Sequence, residues 1–351
     1  MPTYKEKIQI ASWLLTRQCN LKCSYCRISR DPDELSSYPK LKEYLTEQMD
    51  YKQVISGLFA MKQHNPEMFH IFYGGEPLLF PNLHKVINFC NESNIHYTII
   101  TNNTEEVQPL LTKLFNNVDY VAGLTSSVDP LLYDPKRLND DRAKKTKFGF
   151  KRLIELKSKI KDLVAEITVS NDNIDYLYPL VKDLTEEGIS SDITFVDIAK
   201  NRYYDFSNVT DVGELVYPSQ KLLDILKRIY SEKLNVHLDM NFMMKLYNSL
   251  PAELDCKLED NIHNITIDSD SSLRLCLRIR GIETPNHFTI SSMFDEEYNI
   301  NSTLKHYQAI DKINYCRGCN WSCILMSQMI RDKQITSDEL VHQTVRKGET
   351  K

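Results

Sequence analysis

Apolar runs of strand length alternate with longer segments of helical period through the first half of the chain and beyond. That alternation is the pattern of a parallel sheet whose strands are joined by crossover helices. Strands are expected at 8–15, 69–73, 96–101, 120–124, 163–169 and 193–196. Helices are expected at 47–63, 83–93, 105–115, 150–159 and 174–188. Six strands with intervening helices fit an α/β fold, a partial (β/α)6 TIM-like barrel with helices packed outside, whose active site is built by the loops after the strand C-termini. Two insertions interrupt the rhythm. Residues 30–45 are polar and carry Pro32 and Pro39, and 129–147 are rich in charge; each is read as a lid or a surface loop. Beyond Asp197 the alternation stops, and 219–234 and 241–250 read as helices. The expected organisation is a lead at 1–7, a core barrel at 8–215, a helical bridge at 216–250, a small C-terminal domain at 251–330, and a polar tail at 331–351 that frays. With only residues 1–7 ahead of the first strand, no recognition domain is expected at the front.

At 351 residues the chain can bury a sizeable core, and its 42% hydrophobic and 26% charged content is that of a globular protein. The net charge of −5 argues against a dedicated nucleic-acid binder. The lysines at 144, 145, 147, 151 and 161 read as solvated helix faces. No stretch approaches the ~18 apolar residues of a membrane span, and residues 1–7 lack the apolar core of a secretory signal. Nine cysteines without an export signal point to a reducing, cytoplasmic interior, where thiols serve metals or catalysis. Eight of them fall in two groups. The ninth, Cys90, sits in a helical pattern and reads as a small buried hydrophobe.

The first group, Cys19, Cys23 and Cys26, lies in the run Thr16-Arg-Gln-Cys-Asn-Leu-Lys-Cys-Ser-Tyr-Cys-Arg27 directly after the first expected strand. Three thiolates on one short loop leave a metal centre incompletely dressed. A 4Fe–4S cluster held by four cysteines is closed, whereas three leave one iron open to a further ligand. An open position likewise separates catalytic from structural zinc sites.

Cys-x3-Cys-x2-Cys with an aromatic residue, Tyr25, before the last cysteine resembles the signature of the radical S-adenosylmethionine enzymes. The resemblance implies that the open iron chelates the amino and carboxylate groups of S-adenosylmethionine, and that an electron from the cluster releases a 5′-deoxyadenosyl radical. Three further strand ends carry it. Tyr73-Gly-Gly-Glu-Pro77 is similar to the family's GGEP element, so Gly74, Gly75, Glu76 and Pro77 are expected at the methionine ammonium. Paired glycines also let a backbone approach a ligand closely, and a tight turn would use them equally well. Thr101-Asn102-Asn103 is similar to a TNG element, with Asn103 where glycine is usual; Asn102 is taken as cofactor-binding. Ser126-Ser127-Val128-Asp129 resembles the ribose-contacting end, which assigns Ser127 and Asp129 to the sugar hydroxyls, although Ser and Asp there also suit a helix cap. Ser170 is placed at the nucleoside, Arg142 at a carboxylate, and Tyr25 and Phe195 near adenine.

The second group is Cys256, Cys276, Cys316, Cys319 and Cys323, with residues 265–276 reading as a hairpin before Cys276. It resembles the C-terminal auxiliary-cluster extensions called SPASM and twitch. The SPASM pattern has seven cysteines where this chain has five, and a glycine where it has Ser271. A single auxiliary 4Fe–4S cluster is therefore expected, on Cys256, Cys276 and two of the last three, with the fifth thiol unassigned. Cys-x2-Cys with a distant pair is also zinc-ribbon spacing.

The resemblance implies a radical enzyme abstracting hydrogen from a peptide or protein side chain, leading to oxidation or crosslinking. Its partners would be an electron donor such as flavodoxin or ferredoxin and a separate peptide-recognition protein. A small-molecule oxidase or dehydrogenase acting on a sugar, cyclitol or cofactor precursor is the alternative, and a non-catalytic metal-binding interaction protein is one of another class. No residue is nominated as general base.

Overall fold

A computed structural model of the chain describes residues 9–21, 46–136, 141–195, 220–236 and 264–274. Eight strands form one sheet: β1 (Ile10–Thr16), β2 (Phe69–Gly74), β3 (His96–Thr101), β4 (Val121–Ser127), β5 (Ile160–Val169), β6 (Ser190–Phe195), β7 (Asn264–Ile267) and β8 (Leu273–Arg274). Among the described residues six helices accompany them: α1 (Tyr51–His64), α2 (Leu83–Glu92), α3 (Gln108–Asn117), α4 (Asp141–Leu156), α5 (Leu177–Glu186) and α6 (Gln220–Ser231). The spatial order is β6-β5-β4-β3-β2-β1-β7-β8, in which β1 to β7 are parallel and β8 returns antiparallel. The α/β partial-barrel expectation therefore holds.

Two details differ from the sequence reading. The hairpin expected before Cys276 forms, but its first strand pairs in parallel with β1, as Ile10↔Asn264 to Trp13↔Ile267. It thus adds a seventh parallel strand to the sheet beyond the six expected. The charge-rich insertion at 129–147 is also more ordered than a loop. It contains a 3-10 turn at Pro130–Tyr133 and the start of α4, because the strong helix formers Arg142, Ala143, Lys144, Lys145 and Lys147 continue the periodic segment that follows. The expected loop at 30–45 and helix at 241–250 lie outside the described residues.

Register puts one apolar row straight across the sheet: Ile267, Trp13, Phe72, Ile99, Leu124 and Leu163, all buried. Alternate residues of a strand share a face. This row and its neighbours pack against Val54, Leu58 and Met61 of α1, Val86, Ile87 and Cys90 of α2, and Leu180 and Leu184 of α5. Cys90 is fully buried, as a small hydrophobe should be. One polar pair sits in this core, where the Trp13 indole N–H donates to Nδ1 of His70 at 3.0 Å. Burial holds His70 neutral, its pKa lowered to about 3.

The helices end by local chemistry. After α5, Gly188 takes φ +71, its N–H donates to Thr185 O, and the N–H of Ile189 donates to Leu184 O. Asn94 after α2 and Lys233 after α6 repeat this arrangement with φ of 50 and 53. These are Schellman endings, each satisfying carbonyls that the helix leaves open. Each delivers an apolar residue, Ile189, Ile95 or Leu234, that turns the chain back toward the sheet.

Candidate active site

Because β1 to β6 are parallel, their C-terminal ends share one edge of the sheet, and the predicted site residues that fall among the described residues, Arg142 excepted, lie at or just past those ends. Thr16 closes β1, and Arg17, Gln18 and Cys19 follow at once. Gly74 and Gly75 lie against this segment. The N–H of Gly75 donates to Thr16 O and that of Glu76 to Gln18 O, both at 2.7 Å. A Cβ on Gly74 would sit 2.2 Å from Thr16 O, and one on Gly75 would sit 2.2 Å from Gln18 O and 2.5 Å from Arg17 O. The glycines are thus required by the backbone of the cysteine loop itself, whatever else approaches them.

Glu76 is fully buried and its carboxylate is engaged within the protein. It accepts from Leu78 N (3.0 Å), Thr101 Oγ1 (2.8 Å) and Asn102 N (2.8 Å). Burial pushes this carboxyl up to about 7, against the three hydrogen bonds, which pull it down. Its side chain ties the end of β2 to the end of β3. Pro77, buried, opens the 3-10 turn Pro77–Leu79 that Glu76 caps.

Asn102 reaches back to the cysteine loop. Its Nδ2 donates to Asn20 Oδ1 at 2.8 Å and lies 3.7 Å from Cys19 Sγ, while its Oδ1 accepts from Thr104 N at 3.2 Å. Asn20 in turn donates to Thr104 Oγ1 at 2.8 Å, and the N–H of Leu21 points to Cys19 Sγ at 3.4 Å. Asn103, where the family usually has glycine, takes φ +46. Asn tolerates that left-handed geometry better than other side chains, so the departure from TNG keeps the backbone shape. Ser271, in the turn between β7 and β8, also takes a positive φ, +66.

Ser127 is exposed at the end of β4. Asp129 caps the turn Pro130–Tyr133, its Oδ1 accepting from Leu131 N at 3.0 Å and from Asn173 Nδ2 at 3.1 Å. Ser170, just past β5, is 1% exposed, and its hydroxyl has no hydrogen-bond partner among the described residues; neither has the buried amide of Asn103. Arg142 lies in the first turn of α4, and Phe195 ends β6. Tyr25, Cys23, Cys26, Cys256, Cys276, Cys316, Cys319 and Cys323 lie outside the described residues.

Three features escaped the sequence reading. Arg17, 2% exposed, pairs with the fully buried Asp268 after β7 and with Glu47 Oε2 at 3.5 Å. The Asn20–Thr104 link became visible only when β1 and β3 met the same loop. On the sheet face opposite the apolar row, Ser127, Glu166 and Asp192 are register partners on β4, β5 and β6. Burial raises Glu166 to about 7, with a further push from Asp192, and raises Asp192 to about 6. The polar residues Asp162, Glu166 and Thr168 of β5 and Ser190, Asp192 and Thr194 of β6, two or four positions apart, were the available signal.

The arrangement fits a cluster-bound cysteine. Cys19 stands at a strand end with two N–H groups directed at its sulfur, the environment of a charged thiolate, and orphaned polar groups at Asn103 and Ser170 suit a polar ligand nearby.

Among solved structures, Streptococcus suis SuiB bound to S-adenosylmethionine shares the fold at a TM-score of 0.58 and 14% identity, over 89% of this chain and 73% of that one. SuiB bound to the precursor peptide SuiA gives 0.59 at 13% identity, over 93% and 74%. Native anSMEcpe with bound AdoMet and a Cp18Cys peptide gives 0.56 at 13% identity, over 94% and 99%. No curated protein matches the chain by sequence at a significant level. The model of the Radical SAM superfamily matches residues 13–184, the stretch from within β1 to the last turn of α5 that holds Cys19, the paired glycines and Asn102, and this stretch is a radical SAM domain.

Proposed function

We propose that the chain cleaves S-adenosylmethionine reductively and abstracts hydrogen from a peptide or protein side chain, leading to oxidation or crosslinking. The observation that carries this reading is the position of Cys19 at the end of β1, braced by the Gly74–Gly75 backbone and faced by Asn102. Cys19, Cys23 and Cys26 would hold a 4Fe–4S cluster. When bound, that cluster supplies the electron that breaks a sulfonium C–S bond of S-adenosylmethionine.

The protein's own residues bind and orient. The backbone at Gly74 and Gly75 offers close approach without side chains, and Ser127, Asp129 and Ser170 offer short polar groups to the nucleoside. Tyr25 would sit at the adenine. The rigid hold on Asp129 through Leu131 and Asn173 favours a fixed sugar geometry over a searching one.

Peptide rather than small-molecule chemistry is favoured by the neighbours, since SuiB and anSMEcpe have structures with bound peptides. Cys256, Cys276 and two of Cys316, Cys319 and Cys323 would hold an auxiliary 4Fe–4S cluster that handles the substrate's electron. A flavodoxin or ferredoxin would supply reducing equivalents, and a separate protein would present the peptide.

Anaerobic reconstitution tests both clusters: about seven to eight irons per chain are expected for two, and about four would remove the auxiliary one. Reduction in the presence of S-adenosylmethionine should release 5′-deoxyadenosine, and Cys23→Ala should abolish that release. Zinc in place of iron at the loop, or no 5′-deoxyadenosine from the loaded wild type, would overturn the reading.

A further inference from the structure

Resting on the reading of Cys19 as a cluster ligand, we propose that Asn102 is a positioning residue of the iron–sulfur centre: its amide donates an N–H···S hydrogen bond to the Cys19 thiolate and raises the cluster's reduction potential.

Three contacts fix the amide. Its Oδ1 accepts from the Thr104 backbone N–H at 3.2 Å, a bond that only the oxygen end can make. The NH2 end must therefore face the cysteine loop. There its two hydrogens meet two acceptors, Asn20 Oδ1 at 2.8 Å and Cys19 Sγ at 3.7 Å. Asn20 is itself held by Thr104 Oγ1, so its oxygen stays turned toward Asn102. The Asn102 backbone is anchored in addition, its N–H donating to the buried Glu76 carboxylate at 2.8 Å. A side chain held at its oxygen, its nitrogen and its backbone is aimed before any metal arrives.

Reduction adds negative charge to an iron–sulfur cluster and to the sulfurs that bind it. A hydrogen-bond donor on a ligating sulfur stabilises the more negative state, so it moves the potential upward. The Leu21 N–H, 3.4 Å from the same sulfur, acts in the same direction from the backbone and survives any side-chain change. Asn102 is then the adjustable part of the pair. This assigns it to the cluster, whereas the resemblance to TNG assigns it to the nucleoside. The consequence is functional: a centre that is easier to reduce can be charged by a milder physiological donor.

The test is a potentiometric titration of the full-length, anaerobically reconstituted protein followed by electron paramagnetic resonance. The relevant cluster is identified as the one whose signal changes when S-adenosylmethionine is added. Asn102→Ala removes the donor. Asn102→Asp keeps the shape and the bond from Thr104 but turns an acceptor toward the sulfur. Both variants are expected to shift the midpoint potential negative with iron content unchanged, Asn102→Asp by more. Should alanine reduce iron uptake, the near-isosteric aspartate still reports. A midpoint equal to wild type or above it in a fully loaded variant overturns the proposal. A wild type whose signal ignores S-adenosylmethionine would instead sink the radical reading itself.

Discussion

Gly75 shows how a single residue can be dictated by a neighbour's backbone. Its missing Cβ would fall 2.2 Å from one carbonyl oxygen and 2.5 Å from another, and neither belongs to a flexible side chain. Gly75→Ala must therefore push the cysteine loop away from the end of β2 or break the 2.7 Å bond to Thr16 O. Overpacking of this kind costs about 1–3 kcal/mol. The variant should show that loss in urea denaturation and also lower iron uptake, because the displaced atoms lead directly into Cys19. Glu76 makes a related point. The GGEP resemblance marks it as a cofactor residue, but its carboxylate is spent on Leu78, Thr101 and Asn102. A motif in sequence does not say whether a side chain faces the ligand or holds the residue that does.

Between elements, the link that matters most joins β1 to the β7–β8 hairpin. Arg17 sits two residues before Cys19, and Asp268 follows β7 on the way to Cys276. Their side chains are 2% and 0% exposed and form an ion pair, with Ser269 donating to Asp268 from its backbone at 2.7 Å and to Glu47 Oε2 from its hydroxyl at 2.8 Å. Breaking such a pair by removing one partner costs about 3–5 kcal/mol, since a buried charge is left uncompensated. Asp268→Ala should lower stability by that order, softened by Glu47, which also approaches Arg17. The double variant Arg17→Met/Asp268→Leu should recover part of the loss in the same denaturation assay. Recovery would show that the penalty lies in the stranded charge.

At the scale of the molecule, one face of the sheet carries an apolar row and the other mixes apolar residues such as Leu14 and Val164 with polar ones. The row from Ile267 to Leu163 carries the helices, while Ser127, Glu166 and Asp192 line the other side. Glu166 and Asp192 hold protons in the folded state that they would release when unfolded, with folded pKa values of about 7 and about 6. Carboxyl pKa values raised by folding make the folded state the better proton binder, so stability is fullest below the unfolded values near 4 and falls as pH rises to about 7. Urea unfolding across that window should show the decline, and Glu166→Gln/Asp192→Asn should reduce it, leaving the share that belongs to Glu76, whose carboxyl burial also raises to about 7. The difference between the two proteins isolates this pair from Glu76 and from His70, whose lowered pKa works in the opposite direction.

The sequence by itself determined the order of strands and helices, because apolar periodicity and turn chemistry act within a few residues. It also determined that Cys19, the paired glycines and Asn102 would end successive strands, since parallel strands place such ends on one edge. Partners distant in the chain were decided by the tertiary structure alone. Arg17 meets Asp268 across 251 positions, Asn20 meets Asn102, and the hairpin becomes a seventh parallel strand. Those contacts depend on sheet order and on which strand β1 accepts as its second neighbour, and neither quantity is written in local propensity.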